Sequence, residues 1–478
     1  MNLKLRKINS QTQPFPMLEL TQVLAGLSPA LETNIGILIE IVKGIYCISS
    51  GGVTMKNISR WTGKKGSYRS IQRFFGQNID WLALNLLLFQ SAFLTVSGPE
   101  RYILALDEVV EDKAGKHTFG INWFYSSIAG GVVRSISNHV ISIVDTEKER
   151  SFVLTHKQTV KSASKSKGGK SKSREKKGEK VSKPSKAAGQ KGKAGRPKDS
   201  KNKHNVKKEG LLYDSFEFLL VKVVPLLAIL GLGIRYVVGD GAYGNKTCCL
   251  ITNQFGLELI SKLNRNTGLY LPYQGEYNGR GRPKKYEEKL DYQNLPEEYL
   301  VSSLVEDDIW SRMYQIKGVW TKHMPCLINV VIMIKIDLKT QKAARVVLFS
   351  TDLTLSAATV VRFYSLRFQI EFNFRDAKQY FGLSNFKNIK EQQGNNAVGL
   401  ALFMDNRSLV LIEQAKTQWK EQTLSIQDLK AYFRAEKYLH DILNTLEINP
   451  SPILIQREFE GILKIGAINR TKPTKLAV

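Results

Sequence analysis

The sequence predicts an α/β protein built on one central sheet, with helical N-terminal and C-terminal regions. Three observations predict it. Two short apolar runs, Tyr102 to Leu106 and Ile234 to Gly239, each lead into an acid, Asp107 and Asp240. Runs of this kind read as strands buried on both faces. Apolar residues at helical spacing fill about 17–95 and most of the chain after about 356. Between them, residues 264–344 break into Pro, Gly and Tyr and then into alternating β-type runs such as Leu327 to Ile336.

Each element follows from its residues. Residues 1–96 form a helical region, in which Ile37, Leu38, Ile41, Val42 and Ile45 recur at helical spacing. Gly63 and Gly66 break two short helices around Trp61 to Phe75. The second places Arg69 and Arg73 four apart on one face, as a helix-turn-helix on DNA or a solvated basic face would. Strands are expected at Tyr102 to Asp107, ending in the acid, and near Gly120–Ser126, His139–Asp145 and Phe152–His156. Residues 157–209 have almost no large apolar side chains and read as a disordered insertion. A helix over about Leu212–Leu230, a strand over Ile234–Asp240, a helix after Gly244 and a strand over Leu257–Ser261 come next. A β-rich insertion at 264–344 precedes a strand at Ala344–Ser350 and one long helix from Ser356 to Phe381. Taken as a core order, three strands, helix, strand, helix, strand and a late helix are the ribonuclease H-like plan. Residues 97–405 then make a catalytic domain, and 406–478 a helical C-terminal region.

The net charge is +27 over 478 residues. A chain this basic favours polyanions, nucleic acid first. Lys157 to Lys208 holds twenty Lys or Arg against three acids, and the remainder is still basic. Four cysteines without CxxC spacing and six histidines without HExxH spacing predict a reducing compartment and no structural zinc. The longest apolar stretch, Phe216 to Gly233, contains Glu217, Lys222 and Pro225 and reads as a core helix, not a membrane span. The basic N-terminus lacks the apolar run of a signal peptide. The expected location is the cytoplasm, at the nucleoid.

Two buried strands deliver Asp107 and Asp240, and the late helix supplies a third acid. Tyr364, Arg367, Glu371 and Lys378 are three, four and seven residues apart. On one helix they fall within about 60° of one another. A core stripe would be apolar, and a solvated stripe has little need of the Tyr. The alternative is an ordinary ion pair between Arg367 and Glu371. Clustered carboxylate oxygens suit hard divalent cations, and two such ions can clamp an in-line phosphoryl transfer.

The spacing Y-x2-R-x3-E-x6-K resembles the signature of the DDE transposases of insertion-sequence family four. Phe349-Ser-Thr-Asp352 and Asp240-Gly-Ala-Tyr243 are also similar to that family. The resemblance spans about residues 100–405. It implies a ribonuclease H-like catalytic domain, two Mg²⁺ or Mn²⁺ ions, and cut-and-paste chemistry on terminal inverted repeats and target DNA. It implies Asp107, Asp240 and Glu371 as catalytic metal ligands, and Tyr364, Arg367 and Lys378 as DNA contacts, with Arg375 beside them. A homodimer on DNA is expected, because two ends must be paired. Relatives often carry a second acid and a Thr or Ser after the first Asp. Glu108-Val109 stands here instead, which leaves Asp112 as a fallback for Asp107.

Ala194-Gly-Arg-Pro-Lys198 and Gly281-Arg-Pro-Lys-Lys285 resemble AT-hook segments, in which Arg282 would enter a minor groove or simply bind phosphate. Trp310 and Trp320 are either core residues or, as the resemblance implies for the β-rich stretch, a stacking partner for a flipped base. Two rivals stay open at this point: a ribonuclease H-like nuclease that does not join, and an inactive transposase-derived DNA-binding protein. A third is a basic RNA-binding protein built on the Lys-rich segment.

Overall fold

Among the described residues, four helices precede the first strand: α1 (Pro29–Cys47), α2 (Met55–Ser59), α3 (Tyr68–Phe75) and α4 (Trp81–Ala92). The computed structural model describes residues 29–447 apart from 64–65, 95–97, 99, 127–128, 162–209, 278, 280 and 420–422, together with 462–463 and 465–468. Side-chain oxygens of Ser67 and Asp80 cap α3 and α4 by accepting the Ser70 and Ala83 amides. The strands β1 (Tyr102–Asp112), β2 (Asn122–Ser126), β3 (Gly131–Asp145) and β4 (Arg150–Thr159) follow. Then come α5 (Leu211–Ile229), β5 (Tyr236–Gly239), α6 (Lys246–Gln254) and β6 (Glu258–Leu263). The short β7 (Tyr270–Pro272) and β8 (Tyr286–Lys289) pair with each other. Four more strands, β9 (Leu300–Glu306), β10 (Ile309–Val319), β11 (Ile328–Asp337) and β12 (Ala343–Ser350), complete the β structure described. The chain closes on α7 (Ala357–Leu366), α8 (Gln369–Phe381), α9 (Glu391–Trp419) and α10 (Ile426–Thr445).

One ten-stranded mixed sheet organises the molecule, in the order β2-β3-β1-β5-β6-β12-β11-β10-β9 with β4 also on β3. β1, β3 and β4 are antiparallel neighbours, and β1, β5 and β6 are parallel ones. The parallel strands are the apolar runs read from the sequence, and Tyr236 to Gly239 is buried throughout. Ile103 and Ala105 pack under Val360 and Phe363 of α7, and Leu104 and Leu106 face the opposite cluster with Phe216 and Leu220 of α5. The helices at both ends of the chain join that larger core. Trp81 donates to Asn396 at 3.0 Å, Tyr46 meets Ser408 at 2.8 Å, and Asn85 donates to the Leu154 carbonyl at 3.0 Å. Among the described residues no helix is long and apolar enough to cross a membrane.

Four expectations need correction. First, Asp107 does not end its strand. β1 runs on to Asp112 because β3 pairs with it along its whole length. What ends beside Asp107 is the parallel partner, since the last β1–β5 pair is Leu106 with Gly239. Second, the β-rich 264–344 stretch does not leave the core sheet altogether. Its strands β9, β10 and β11 continue the core sheet through β12, while β7 and β8 form a two-stranded sheet of their own, tied back by a bridge between Tyr270 and Trp320. Third, the late helix is two helices. Phe368, Ile370 and Glu371 each donate to the carbonyl three residues back, which tightens the turn at Arg367 and Phe368. Both residues keep right-handed helical dihedrals, so the chain runs on into α8. Fourth, Lys157 to Thr159 belong to β4 and not to the Lys-rich insertion. Residues 162–209, with the Gly-Arg-Pro core at 195–197, lie outside the described residues.

Candidate active site

The site forms where β5 stops and β1 continues. Leu106 is opposite Gly239, so Asp107 and Asp240 follow at neighbouring positions on two parallel strands. Parallel pairing brings the two acids together although more than a hundred residues separate them. After Asp240 the chain must turn sharply into α6. Asp240 accepts the Ala242 amide at 3.0 Å through its carboxylate and the Ser261 hydroxyl at 2.6 Å through its carbonyl. The Gly-Ala-Tyr that follows has a steric reason. A Cβ on Gly239 would stand 2.7 Å from the Tyr243 ring, and one on Gly244 would stand 2.4 Å from the Lys262 carbonyl oxygen. Tyr243 thus folds back over the end of β5, its hydroxyl 3.1 Å from Nδ1 of the buried His139. Burial, followed by the charges of Asp107 and Asp240, holds that phenol well above its ordinary range.

α8 brings the third acid. Glu371 lies in its first turn. Arg367 sits just before it and bridges two acids. One guanidinium nitrogen is 2.6 Å from Asp107, and the other is 3.1 Å from Glu371. The arginine side chain is only 13% exposed, while Glu371 is 39% exposed. Burial pushes the Asp107 carboxyl up to about 6, Arg367 and the Glu108 amide pull against that rise, and Asp240 and Glu371 add to it. Three acids therefore repel one another across a partly buried space, and Arg367 is the cation that offsets them.

Lys378, two turns further on, is drawn to β1. Its ammonium is 2.7 Å from Glu111 and 3.4 Å from the Val110 carbonyl. Glu111 is 3% exposed and also accepts from the Ser384 hydroxyl. Tyr364 is half-buried, with the Arg367 guanidinium carbon 5.9 Å from its ring centre, and burial raises its phenol. So the expected stripe of four residues is present, although the turn at Arg367 divides it between two helices. Arg375 instead points away, 60% exposed, paired with Asp376 and lying over Phe372 at 4.8 Å.

The remaining candidates are placed elsewhere. Arg69 and Arg73 are exposed on α3. Arg282 is exposed in the loop between β7 and β8. Trp310 is half-buried on β10, donates to Ser303 at 2.9 Å and carries Arg312 at 5.0 Å over its ring. Trp320 is also half-buried, beneath the Lys285 ammonium at 3.4 Å. Asp112, five residues along β1 from Asp107, points to the opposite face and does not serve as its replacement. Asp352 is structural. It accepts from Tyr236 at 2.9 Å and Arg235 at 2.7 Å. Against the cost of burial, these bonds and those from Thr354 hold its carboxyl below the usual range. The sequence reading missed Glu111 and His139. The signal for Glu111 was its even spacing from Asp107 on one strand face; nothing local marked His139.

Two aspartates at adjacent strand ends offer the hard oxygens that Mg²⁺ or Mn²⁺ takes, with water and phosphate completing the shell. Among the described residues no group of three His, Cys, Asp or Glu is arranged to hold an ion. Arg367 takes up Asp107 and Glu371 together. The carboxylates of Asp107 and Asp240 are of the chemistry a divalent ion takes, and both Asp107 and Glu371 would have to exchange Arg367 for it.

Comparison with known proteins adds three findings. No curated protein matches the chain in sequence. Among solved structures, a piggyBac transposase synaptic complex with hairpin DNA is similar at 8% identity and a TM-score of 0.38, covering 96% of this chain and 84% of that one. The model of the family described as DDE superfamily endonuclease matches residues 38–316, from within α1 to β10. That match takes in Asp107 and Asp240 and more than half of the sequence, and the chain belongs to the DDE superfamily endonucleases.

Proposed function

We propose that the chain is a DNA transposase of the insertion-sequence family four kind, cutting and joining DNA at transposon ends. The observation that carries the reading is the meeting of Asp107 and Asp240 beside the β1–β5 pair, with Glu371 tied to Asp107 through Arg367. Antiparallel β4-β3-β1 followed by parallel β5 and β6 supports a ribonuclease H-like core around these acids. After Arg367 moves, Asp107, Asp240 and Glu371 would hold two Mg²⁺ or Mn²⁺ ions. When bound, such ions neutralise charge on a phosphoryl group undergoing in-line displacement.

The chain's own residues do the rest. Released from the acids, Arg367 is free to pair with a phosphate at the same place, bidentate and always charged. Tyr364 walls the site and can donate from a phenol that stays protonated. Lys378 holds β1 against α8 through Glu111, which fixes the spacing of Asp107 and Glu371. The expected partners are double-stranded DNA at terminal inverted repeats and target sites, bound by a homodimer.

Glu371→Gln tests the reading. It should abolish cleavage of an end-bearing oligonucleotide with Mg²⁺ while end binding persists. Joining of a precut end into a plasmid separates a transposase from a nuclease that only cuts. Full cleavage by Glu371→Gln would remove the central claim.

A further inference from the structure

The β2–β3 hairpin carries a face that catalysis leaves unused. Trp123 and Tyr125 alternate outward along β2, 60% and 65% exposed. Their cross-strand partners are Arg134 and Val132, which are exposed as well. Directly opposed residues of an antiparallel pair share a face. The register carries this face along β3 through Ile136, Asn138 and Val140, and across to Glu111, Val109 and Asp107 on β1. The hairpin and Asp107 therefore look the same way. Six residues of β3 part Arg134 from Val140, about 20 Å at the strand rise.

Single exposed apolar residues are ordinary, but two adjacent rings over a valine form a patch. The charge around it is mainly positive. From Lys113 to Asn138 the sequence has Lys113, Lys116 and Arg134 and no acid. The loop after α8 is pinned beside the hairpin by a 2.9 Å bond from the Phe119 amide to the Ile389 carbonyl. It adds the exposed Lys387 and Lys390, with Glu391 the exposed acid that follows. Flat apolar rings framed by cations match a polyanion that has flat apolar faces of its own, which is nucleic acid. A second copy of the chain fits less well, since a two-fold contact would set Arg134 and Lys390 against their own kind.

We propose that this face docks DNA about 20 Å from Asp107 along the sheet. Trp123 and Tyr125 stack on unpaired bases, while Arg134 and Lys390 meet the phosphates. Outward side chains two apart on a strand are separated by about 6.8 Å, room for one base between two rings. The inference rests on reading the chain as an enzyme that acts on DNA, and it names where a strand leaving the site is held.

The test is equilibrium binding of the full chain, without divalent metal and across a salt series. The probes are a duplex with a single-stranded extension and a fully paired duplex of equal length. Trp123→Ala and Tyr125→Ala should each weaken the extended probe roughly tenfold, with the salt slope unchanged. Trp123→Phe should recover most of the loss. Arg134→Ala should lower the salt slope by about one. Wild-type affinity in both alanine variants overturns the inference, and so does an equal loss on the paired duplex. A change of oligomeric state in sedimentation, with DNA binding intact, overturns it in favour of a self-interface. If the wild-type chain binds neither probe, the parent reading falls and this inference with it. If it binds and Glu371→Gln blocks cleavage, a negative result with the aromatic variants sinks this inference alone.

Discussion

The Arg367 guanidinium donates to the Asp107 carboxylate at 2.6 Å, joining residues 260 positions apart, and its other nitrogen reaches Glu371 at 3.1 Å. An arginine thus stands among the acids that are proposed to hold divalent ions. It belongs to the site's resting electrostatics as much as to any contact with DNA.

Arg367 and the metal compete for the same oxygens. Arg367→Gln should therefore bind Mn²⁺ more tightly, about tenfold or more, because a charged hydrogen bond of roughly 1.5–3 kcal/mol no longer has to be broken. Cleavage should nonetheless fall, because no guanidinium is left to take up the phosphate. Calorimetric titration with Mn²⁺ reads the first effect, and weaker metal binding by the variant would show that Arg367 organises the acids without competing.

Asp107 also sets a pH dependence. Its folded-state value of about 6 lies above the ordinary 3.8. The folded protein binds this proton more tightly than the unfolded chain does. The associated stability is fully present below about pH 3.8 and is lost as pH rises through about 6, a swing of about 3 kcal/mol at most. In chelator, wild type should lose ground to Asp107→Asn between pH 4 and 7, and Mg²⁺ should return it at pH 7.5. Urea midpoints measured across that range check this, and a gap independent of pH counts against it.

Lys378→Ala should be costly for a structural reason. It strands Glu111, a nearly fully buried carboxylate, with the Ser384 hydroxyl and the nearby charge of Lys113 as its remaining partners, at a cost of about 3 kcal/mol. Lys378→Ala with Glu111→Gln should recover most of the lost thermal stability. DNA affinity that stays low in the recovered double variant would assign Lys378 a direct contact as well.

Gly244→Ala probes the turn that presents Asp240. The added methyl meets the Lys262 carbonyl oxygen at 2.4 Å, backbone against side chain with no rotamer to relieve it. Metal-dependent cleavage should drop at least a hundredfold, with a loss of stability of about 1–3 kcal/mol. Alanine at Gly241, where the nearest atom is 3.7 Å away, should be tolerated and serves as the control.

Much of this site was legible in the chain itself. Asp107 and Asp240 could be found because strands buried on both faces are uninterrupted apolar runs, and an acid ending such a run stands out. Tyr364, Arg367, Glu371 and Lys378 showed through helical spacing. What could not be read was pairing over distance. The full length of β1 depends on β3, and the union of β11 with β12 and the core sheet depends on register, which no local pattern states. The break at Arg367 was hidden because no glycine or proline marks it. The tie of Lys378 to Glu111 required knowing that α8 lies along β1.

The continuity of β6, β12, β11 and β10 has a consequence for how such proteins can diverge. A separate module could be exchanged or tilted without disturbing the chemistry. Strands hydrogen-bonded to the sheet that carries Asp107 and Asp240 cannot, because each residue of slip would turn every side chain over. Their far turns, at 307–308 and 338–342, lie at the end of the extension away from the β6 pairing and hold each other through a 2.9 Å bond from the Leu338 amide to the Asp308 carbonyl. Under the proposed function, specificity for different DNA ends would then evolve at the tips of this extension, at a reach from the acids that the sheet holds constant.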